Sequence, residues 1–356
     1  MAWFDPNWTY RTKVTIDNTK VDASLTDFPI FFDLADIGTG HGFWSNVKSD
    51  GGDIRVTKDD GTSEVAREIT NIDTGAETGE LHFSADGTLS SSVDTDYYIY
   101  YGNAAASDHA DNATYGMYNV WDANYKGIYH LSEATAEEVA SSTSHQVNEG
   151  TPSSSATSVD AKVGKGFDFN NSTNSIIFEA GVSTHLSPTT ALQFELWFNA
   201  DTISSDVLLY CRGNSTTVGY GFWFWNSNLR AQIGSTGWSN LTYPLSSLSV
   251  NTWYHVVGNW DGSTYKLYLD GTEVDTGAYA GTQTYSGAQM TFGTRASGDD
   301  FDGTLDELRI SDVARSADWI STQYNNQNSP STFYTIGTEE TDGGAPSTFT
   351  PKTMFF

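Results

Sequence analysis

Residues 253–274, WYHVVGNWDGSTYKLYLDGTEV, decide the fold class. Tyr265, Leu267 and Leu269 recur at a period of two and share one face of a strand, with Lys266, Tyr268 and Asp270 on the other. Val256 and Val257 lie in the strand before it. Asp261 and Gly262 supply the turn between them, because glycine tolerates positive φ and an aspartate side chain bonds nearby backbone. Asp270 and Gly271 make a second turn into another short strand. A hairpin of this size does not stand alone in water. It predicts a facing sheet, drawn from the rest of the C-terminal two-thirds.

The candidate strands lie on either side of it. FDFNNSTNSIIF (167–178), TALQFELWFNA (190–200), DVLLYCRG (206–213), GYGFWFWNSNLRAQIG (219–234), AQMTFGTR (288–295) and FDGTLDELRIS (301–311) have strand length and strand residue types. GIYHL (127–131) opens this series and FYTIGTEE (333–340) returns as its closing strand. SADWISTQYNNQ (316–327) is the one helix: Ser316 caps it, and Trp319, Ile320, Gln323 and Tyr324 fall at helical spacing. Residues 134–162 are polar and form a surface excursion, with at most a helical turn at 136–140.

Residues 1–118 form a separate set. TYRTKVTI, FPIFFDLA, GELHFSA and DTDYYIYYGN read as strands, and DIRVTKDDGTSEVAREI as a hairpin turning at Asp60 and Gly61. Tyr97, Ile99 and Tyr101 point one way, Tyr98 and Tyr100 the other. A sandwich of about six to eight strands follows.

The hairpin, VGKGFDFNNSTNSIIF (163–178) and FDGTLDELRIS resemble, in order and spacing, the laminin-G-like, concanavalin-A-like jelly rolls. The resemblance covers roughly residues 120–340. The opening W-x-Y-R-x-K-V-T-I at Trp8 to Ile16, DIRVTKDDGT and YYIYYGN resemble a DUF2341-like β-sandwich domain, which carries no known chemistry with it. The expected fold is all-β: two antiparallel β-sandwich domains, 1–118 and a jelly roll at 119–340, then an extended tail at 341–356.

Composition narrows the function. The chain has 45 acidic and 17 basic residues in 356, a net charge of −28, and no Lys/Arg run. Such a surface repels phosphate backbones, so nucleic acid is an unsuitable partner. Cys211 is the one cysteine, which excludes a disulfide framework and a thiolate zinc site; in VLLYCRG it reads as a small core residue. No apolar stretch approaches the ~20 residues of a membrane span. The N-terminus lacks a basic region followed by an apolar run, so no secretion signal is expected there.

Three chemistries are open to such a chain. The resemblance includes glycosidases that place two or three carboxylates on one strand at every second residue. Retaining hydrolysis needs such a pair about 5–5.5 Å apart. No such run occurs. Glu195 stands alone in QFELWF and reads as a rim or cleft residue, so the expectation is no enzyme.

The second chemistry is cation binding. GDDFDGTLDELR gathers Asp299, Asp300, Asp302, Asp306 and Glu307. In related jelly rolls oxygens from the F-D-G-type segment and the late strand share a calcium site, and calcium takes six to eight oxygens. The resemblance implies a set of Asn170, Asn174, Asp302, Asp306 and Glu307. Asparagines, Asn171 among them, stand where the family more often has Asp, which lowers the charge of the site. The alternative is structural: Asp306 caps a turn and Glu307 pairs with Arg309 or Arg295.

The third is sugar. Trp223, Trp225, Trp238 and Tyr243 cluster in one stretch, with Asn226, Asn228, Arg230 and Gln232 between them. Phe222 and Phe224 face opposite to Trp223 and Trp225. One set fills the core; the other can line the concave face, where rings stack on pyranoses and polar side chains bond hydroxyls. The alternative is that every aromatic is core.

The tail ends in Met354, Phe355 and Phe356, three apolar residues after a polar stretch, which reads as a peptide docking into a partner, against a frayed terminus. Together these features point to a non-enzymatic virion surface protein of a tailed phage or related virus. It would attach to cell-surface glycans or stabilise the particle, bind other virion proteins through the tail, and form a trimer by analogy with particle-surface proteins. Two alternatives stand: a secreted or cell-surface carbohydrate-binding or adhesion module, and a degenerate concanavalin-A-like glycoside hydrolase.

Overall fold

The computed structural model describes residues 2–133, 139–144, 151–152, 157–170, 176–178, 184–205, 207–214, 217–234, 238–283, 285, 290–293 and 300–342. Most of the surface excursion with its helical turn, Asn171, Asn174, Asp299 and the tail residues Met354, Phe355 and Phe356 lie outside the described residues. The chain is all-β, every strand pairing among the described residues is antiparallel, and it divides into two units: Met1–Val120 with Ser329–Phe356, and Trp121–Asn328.

The first unit holds a sheet in the order Tyr334–Thr341, Tyr10–Ile16, Thr95–Tyr101, Arg55–Lys58, Glu64–Val65. A second sheet runs Pro29–Asp33, Thr78–Ser84, Arg67–Asp73, and Leu25–Thr26 pairs with Thr88–Leu89. The alternation in DYYIYY is used on both faces. Tyr97 meets Phe83 of the second sheet and Tyr101 meets Phe43, at ring separations of 5.0 and 4.8 Å. On the other face Tyr98 and Tyr100 are buried with Trp8, against which Trp3 and Phe4 pack.

One domain boundary differs from the sequence reading. FYTIGTEE does not close the jelly roll at 119–340. Its strand Tyr334–Thr341 pairs with Tyr10–Ile16, setting Ile336 opposite Val14 and Tyr334 opposite Ile16. Phe333 and Tyr334 are buried in the first unit, the Tyr334 ring 4.6 Å from that of Phe32. The Tyr334 hydroxyl accepts the Asp33 N–H at 3.0 Å and donates to Asp36 at 2.7 Å. Strand alternation gives a buried face without saying which sheet receives it.

The second unit is a two-sheet sandwich. One sheet runs Thr157–Asp160, Lys165–Asn170, Asp302–Ser311, Leu192–Ala200, Trp253–Trp260, Thr264–Leu269, Thr272–Ala278, with Tyr125–Tyr129 also on Asp302–Ser311. The other runs Thr151–Pro152, Ile176–Phe178, Met290–Phe292, Val207–Asn214, Thr217–Trp225, Asn228–Gly234, Trp238–Pro244. The core lies between them. Phe194, Leu196 and Phe198 face Tyr220, Phe222 and Phe224, and the hairpin delivers Tyr265, Leu267 and Leu269 to the same core. Its first turn forms as the sequence requires: Gly262 has φ +95° and Asp261 Oδ1 accepts the N–H groups of Ser263 and Thr264. At the second turn Asp270 and Gly271 both take positive φ, at 50° and 75°.

The helix Ala317–Asn328 covers the outer face of the first of these sheets. Ser316 Oγ accepts the Trp319 N–H at 3.1 Å, as the capping signal predicts. Ile320 packs on Val257 and Tyr268 of the hairpin, and Tyr324 stacks on Trp197 at 5.7 Å. The residues of these strands that point away from the core are thereby buried as well.

Candidate functional site

Two faces of the second unit were candidates, and the helix separates them. Beneath it lies Glu195, alternating with the core residues Phe194 and Leu196 and therefore outward, yet fully buried. Its carboxylate accepts from Gln193 Nε2 at 2.8 Å and from Gln323 Nε2 of the helix. Burial pushes its carboxyl up, against the pull of Arg309. Glu195 is thus neither a rim nor a cleft residue. Amide side chains fill its hydrogen-bonding positions, and the helix stands where a substrate would approach.

The predicted calcium set does not converge. Asp306 and Glu307 sit in a bulge of Asp302–Ser311 where Glu307 has φ 55°, so Leu305 and Leu308 both reach the core while the two acids turn outward. Asp306 Oδ2 accepts the Val163 N–H at 2.8 Å. Glu307 pairs with Arg309 and His130 and accepts from Gln327. Asp302 lies four residues away along the strand, about 13 Å at strand rise, opposite Asn170. There it belongs to a different group. Its backbone oxygen accepts the Asp201 N–H, its Oδ2 accepts from Thr202, and burial, then Asp201 and Asp302, raise the Asp168 carboxyl. The alternation could have found Asp168, which shares the FDFN strand with Asn170.

The sugar candidates divide by face of the seven-stranded sheet. Phe222 and Phe224 point into the core. On the outer face, cross-strand pairing places Leu208, Trp223, Arg230 and Thr242 in one row. Trp225, Asn228 and Pro244 form the next row, and Gly221, Gln232 and Asn240 the row on the other side. Two corrections follow, and one candidate lies outside the described residues. Trp223 is only 4% exposed, packed with Leu208 and Cys211, so it is floor rather than platform. Tyr243 packs against the core and so belongs to the inner face. The Trp238 side chain lies outside the described residues.

Trp225 remains. It is 41% exposed, at the end of its strand beside the tight turn of Asn226 and Ser227, whose φ values are 49° and 62°. Asn228 is opposite it and Arg230 one outward position along. Gln232 Nε2 donates to Asn240 Oδ1 at 2.7 Å, fixing a neighbouring amide pair. Among the described residues the face therefore offers an accessible indole, two asparagines, a glutamine, a threonine and a guanidinium.

Residues 170–321 match the family model described as the concanavalin A-like lectin/glucanases superfamily. Among solved structures, domain 4 of AbnA, a GH43 extracellular arabinanase from Geobacillus stearothermophilus, in complex with arabinotriose, is similar at TM-score 0.46 and 18% identity. The alignment covers 58% of this chain and 100% of that one. The binding domain of Paraclostridial Mosquitocidal Protein 1 is similar at TM-score 0.44 and 14% identity, over 56% and 52% of the two chains. The receptor binding domain of botulinum neurotoxin D gives TM-score 0.47 and 14% identity, over 57% and 53%. This chain spans about half the length of those two toxin domains. No curated protein matches it.

Proposed function

We propose that the chain is a non-enzymatic carbohydrate-binding protein whose contact surface is the outer face of the seven-stranded sheet. The observation that carries this reading is the half-exposed Trp225 in register with Asn228 and beside Arg230, on a concanavalin A-like domain. An indole stacks on the apolar face of a sugar ring, and the flanking amides and guanidinium bond its hydroxyls. The burial of Glu195 beneath the helix supports a binding role over hydrolysis, because its carboxylate is already held by two glutamines.

The setting we propose is attachment at a virion surface, where many weak contacts act together. The acidic composition and the single cysteine support it. The tail would engage other virion proteins. The alternative setting, a secreted or cell-surface adhesion module, uses the same face. A glycan array probed with the full chain tests the binding claim. Trp225→Ala should lose its hits while keeping the wild-type melting temperature. An array without hits, or hits unchanged in that variant, would refute it.

A further inference from the structure

We infer that the glycan taken by this face carries an oxyanion, a carboxylate or a sulfate ester, and that Arg230 binds it; the inference rests on the carbohydrate reading above. Three independent observations carry it.

The first is the state of Arg230. Its Nε is buried without a hydrogen-bond partner, and among the described residues its guanidinium meets no carboxylate. The other described arginines are engaged. Arg11 pairs with Glu340, Arg55 with Glu64, Arg67 with Asp108, Arg309 with Glu307 and Arg315 with Asp122. Arg212 donates to Ser187 and lies over the Tyr285 ring. In a chain with 45 acids for 17 bases, a partly buried arginine with neither an acid beside it nor a ring against its guanidinium among the described residues is out of keeping with the rest.

The second is the distribution of charge. Residues 207–260 contain no Asp or Glu at all, and four strands of the seven-stranded sheet, with both of their arginines, fall inside that run. The rest of the chain carries every one of its carboxylates. A net charge of −28 repels an approaching anion. Withholding carboxylates from these four strands opens an approach for one.

The third is geometry. The Thr242 N–H is taken by Asp275 Oδ2 at 2.8 Å, so the Arg230–Thr242 pair does not exchange backbone hydrogen bonds. Pairs of that kind hold their side chains closest, which sets the Thr242 side chain beside that of Arg230. Asp275 itself lies beyond the edge strand, on the side of Thr242 away from Arg230, and also accepts the Thr276 N–H. A neutral sugar needs nothing that an asparagine or glutamine would not supply. A planar cation with unused donors matches a carboxylate or a sulfate, which accept two parallel N–H bonds.

The test uses the full chain on an array carrying neutral, uronic-acid, sialylated and sulfated oligosaccharides, followed by titration on polygalacturonate, dextran sulfate and dextran. Hits should concentrate among acidic glycans, the carboxylate and sulfate arms showing which oxyanion is read. Arg230→Gln should weaken them about tenfold or more, as expected for loss of a charge-assisted bond, with Arg230→Lys between. Lys266→Gln, at a half-buried cation of the other sheet that pairs with Glu273, should change nothing and so reports any generic charge effect. Neutral hits that survive Arg230→Gln but not Trp225→Ala would overturn the oxyanion inference and leave the carbohydrate reading standing. Acidic hits indifferent to Arg230→Gln would overturn it equally. An array without hits would overturn both.

Discussion

The assignment of Tyr334–Thr341 to the first unit can be tested by removing one side chain. Tyr334 is 2% exposed, its ring lies tilted against that of Phe32, and its hydroxyl is the partner of the Asp33 N–H. Tyr334→Ala leaves a cavity costing about 3–5 kcal/mol. It also strands a backbone donor, at about 1–3 kcal/mol. Because the two losses share one site they do not add fully, and about 4–6 kcal/mol is expected. Amide exchange read by mass spectrometry localises the effect. Amides that exchange by opening of this unit should speed up about 10³- to 10⁴-fold, at ~1.4 kcal/mol per decade. The peptides to watch are those covering Tyr10–Ile16 and Pro29–Asp33. Tyr334→Phe keeps the ring and loses only the hydroxyl, so about 5- to 150-fold is expected there. Peptides from Trp253–Trp260 should remain as in the wild type. Faster exchange in Trp253–Trp260, with Tyr10–Ile16 unchanged, would mean that the strand closes the jelly roll after all and would refute the reasoning.

The remaining predictions concern the second unit. Trp223→Ala should cost about 3–5 kcal/mol of stability, in contrast to Trp225→Ala, and a denaturant titration separates the two; equal stabilities would deny that Trp223 is floor. The expected place for calcium is the Asp168, Asp201 and Asp302 group. Millimolar calcium should raise the melting temperature, Asp168→Asn or Asp302→Asn should remove that rise, and Asp306→Ala should lower the melting temperature with or without calcium. The absence of any calcium shift would retire the metal. His255 is buried against Trp197, and burial lowers its imidazole pKa to about 3. The unfolded chain then takes up a proton near pH 6.5 that the folded chain refuses. Stability falls as pH drops from about 6.5 toward about 3, by up to ~1.4 kcal/mol per pH unit. His255→Phe should remove that slope from the urea midpoint against pH; an unchanged slope would place its source elsewhere.

Much of the second unit was legible because its signals are local. The alternation of Tyr265, Leu267 and Leu269, the turns at Gly262 and Gly271, and the Ser316 cap each depend on a few neighbouring residues, and all form as the sequence requires. The two-sided aromatic strand Thr95–Tyr101 was legible for the same reason. What was not legible is what covers an outward face. Glu195 alternates correctly and faces outward, yet a helix more than a hundred residues later encloses it with Gln323. Trp223 and Trp225 share a face by their spacing, yet one is buried on Leu208 and Cys211 and the other is open.

The sequence by itself determined that this is an all-β chain with a hairpin-centred jelly roll, because hydrophobic period and turn chemistry act over a few residues. It also determined where charge is withheld, since residues 207–260 carry no acid. Only the tertiary structure decided the destination of the last strand, the division of the acidic late segment between two places, and which aromatics stand free. Each of these depends on residues distant in the chain meeting across a sheet. A bulge at Glu307 or an overlying helix changes such meetings without altering the local pattern.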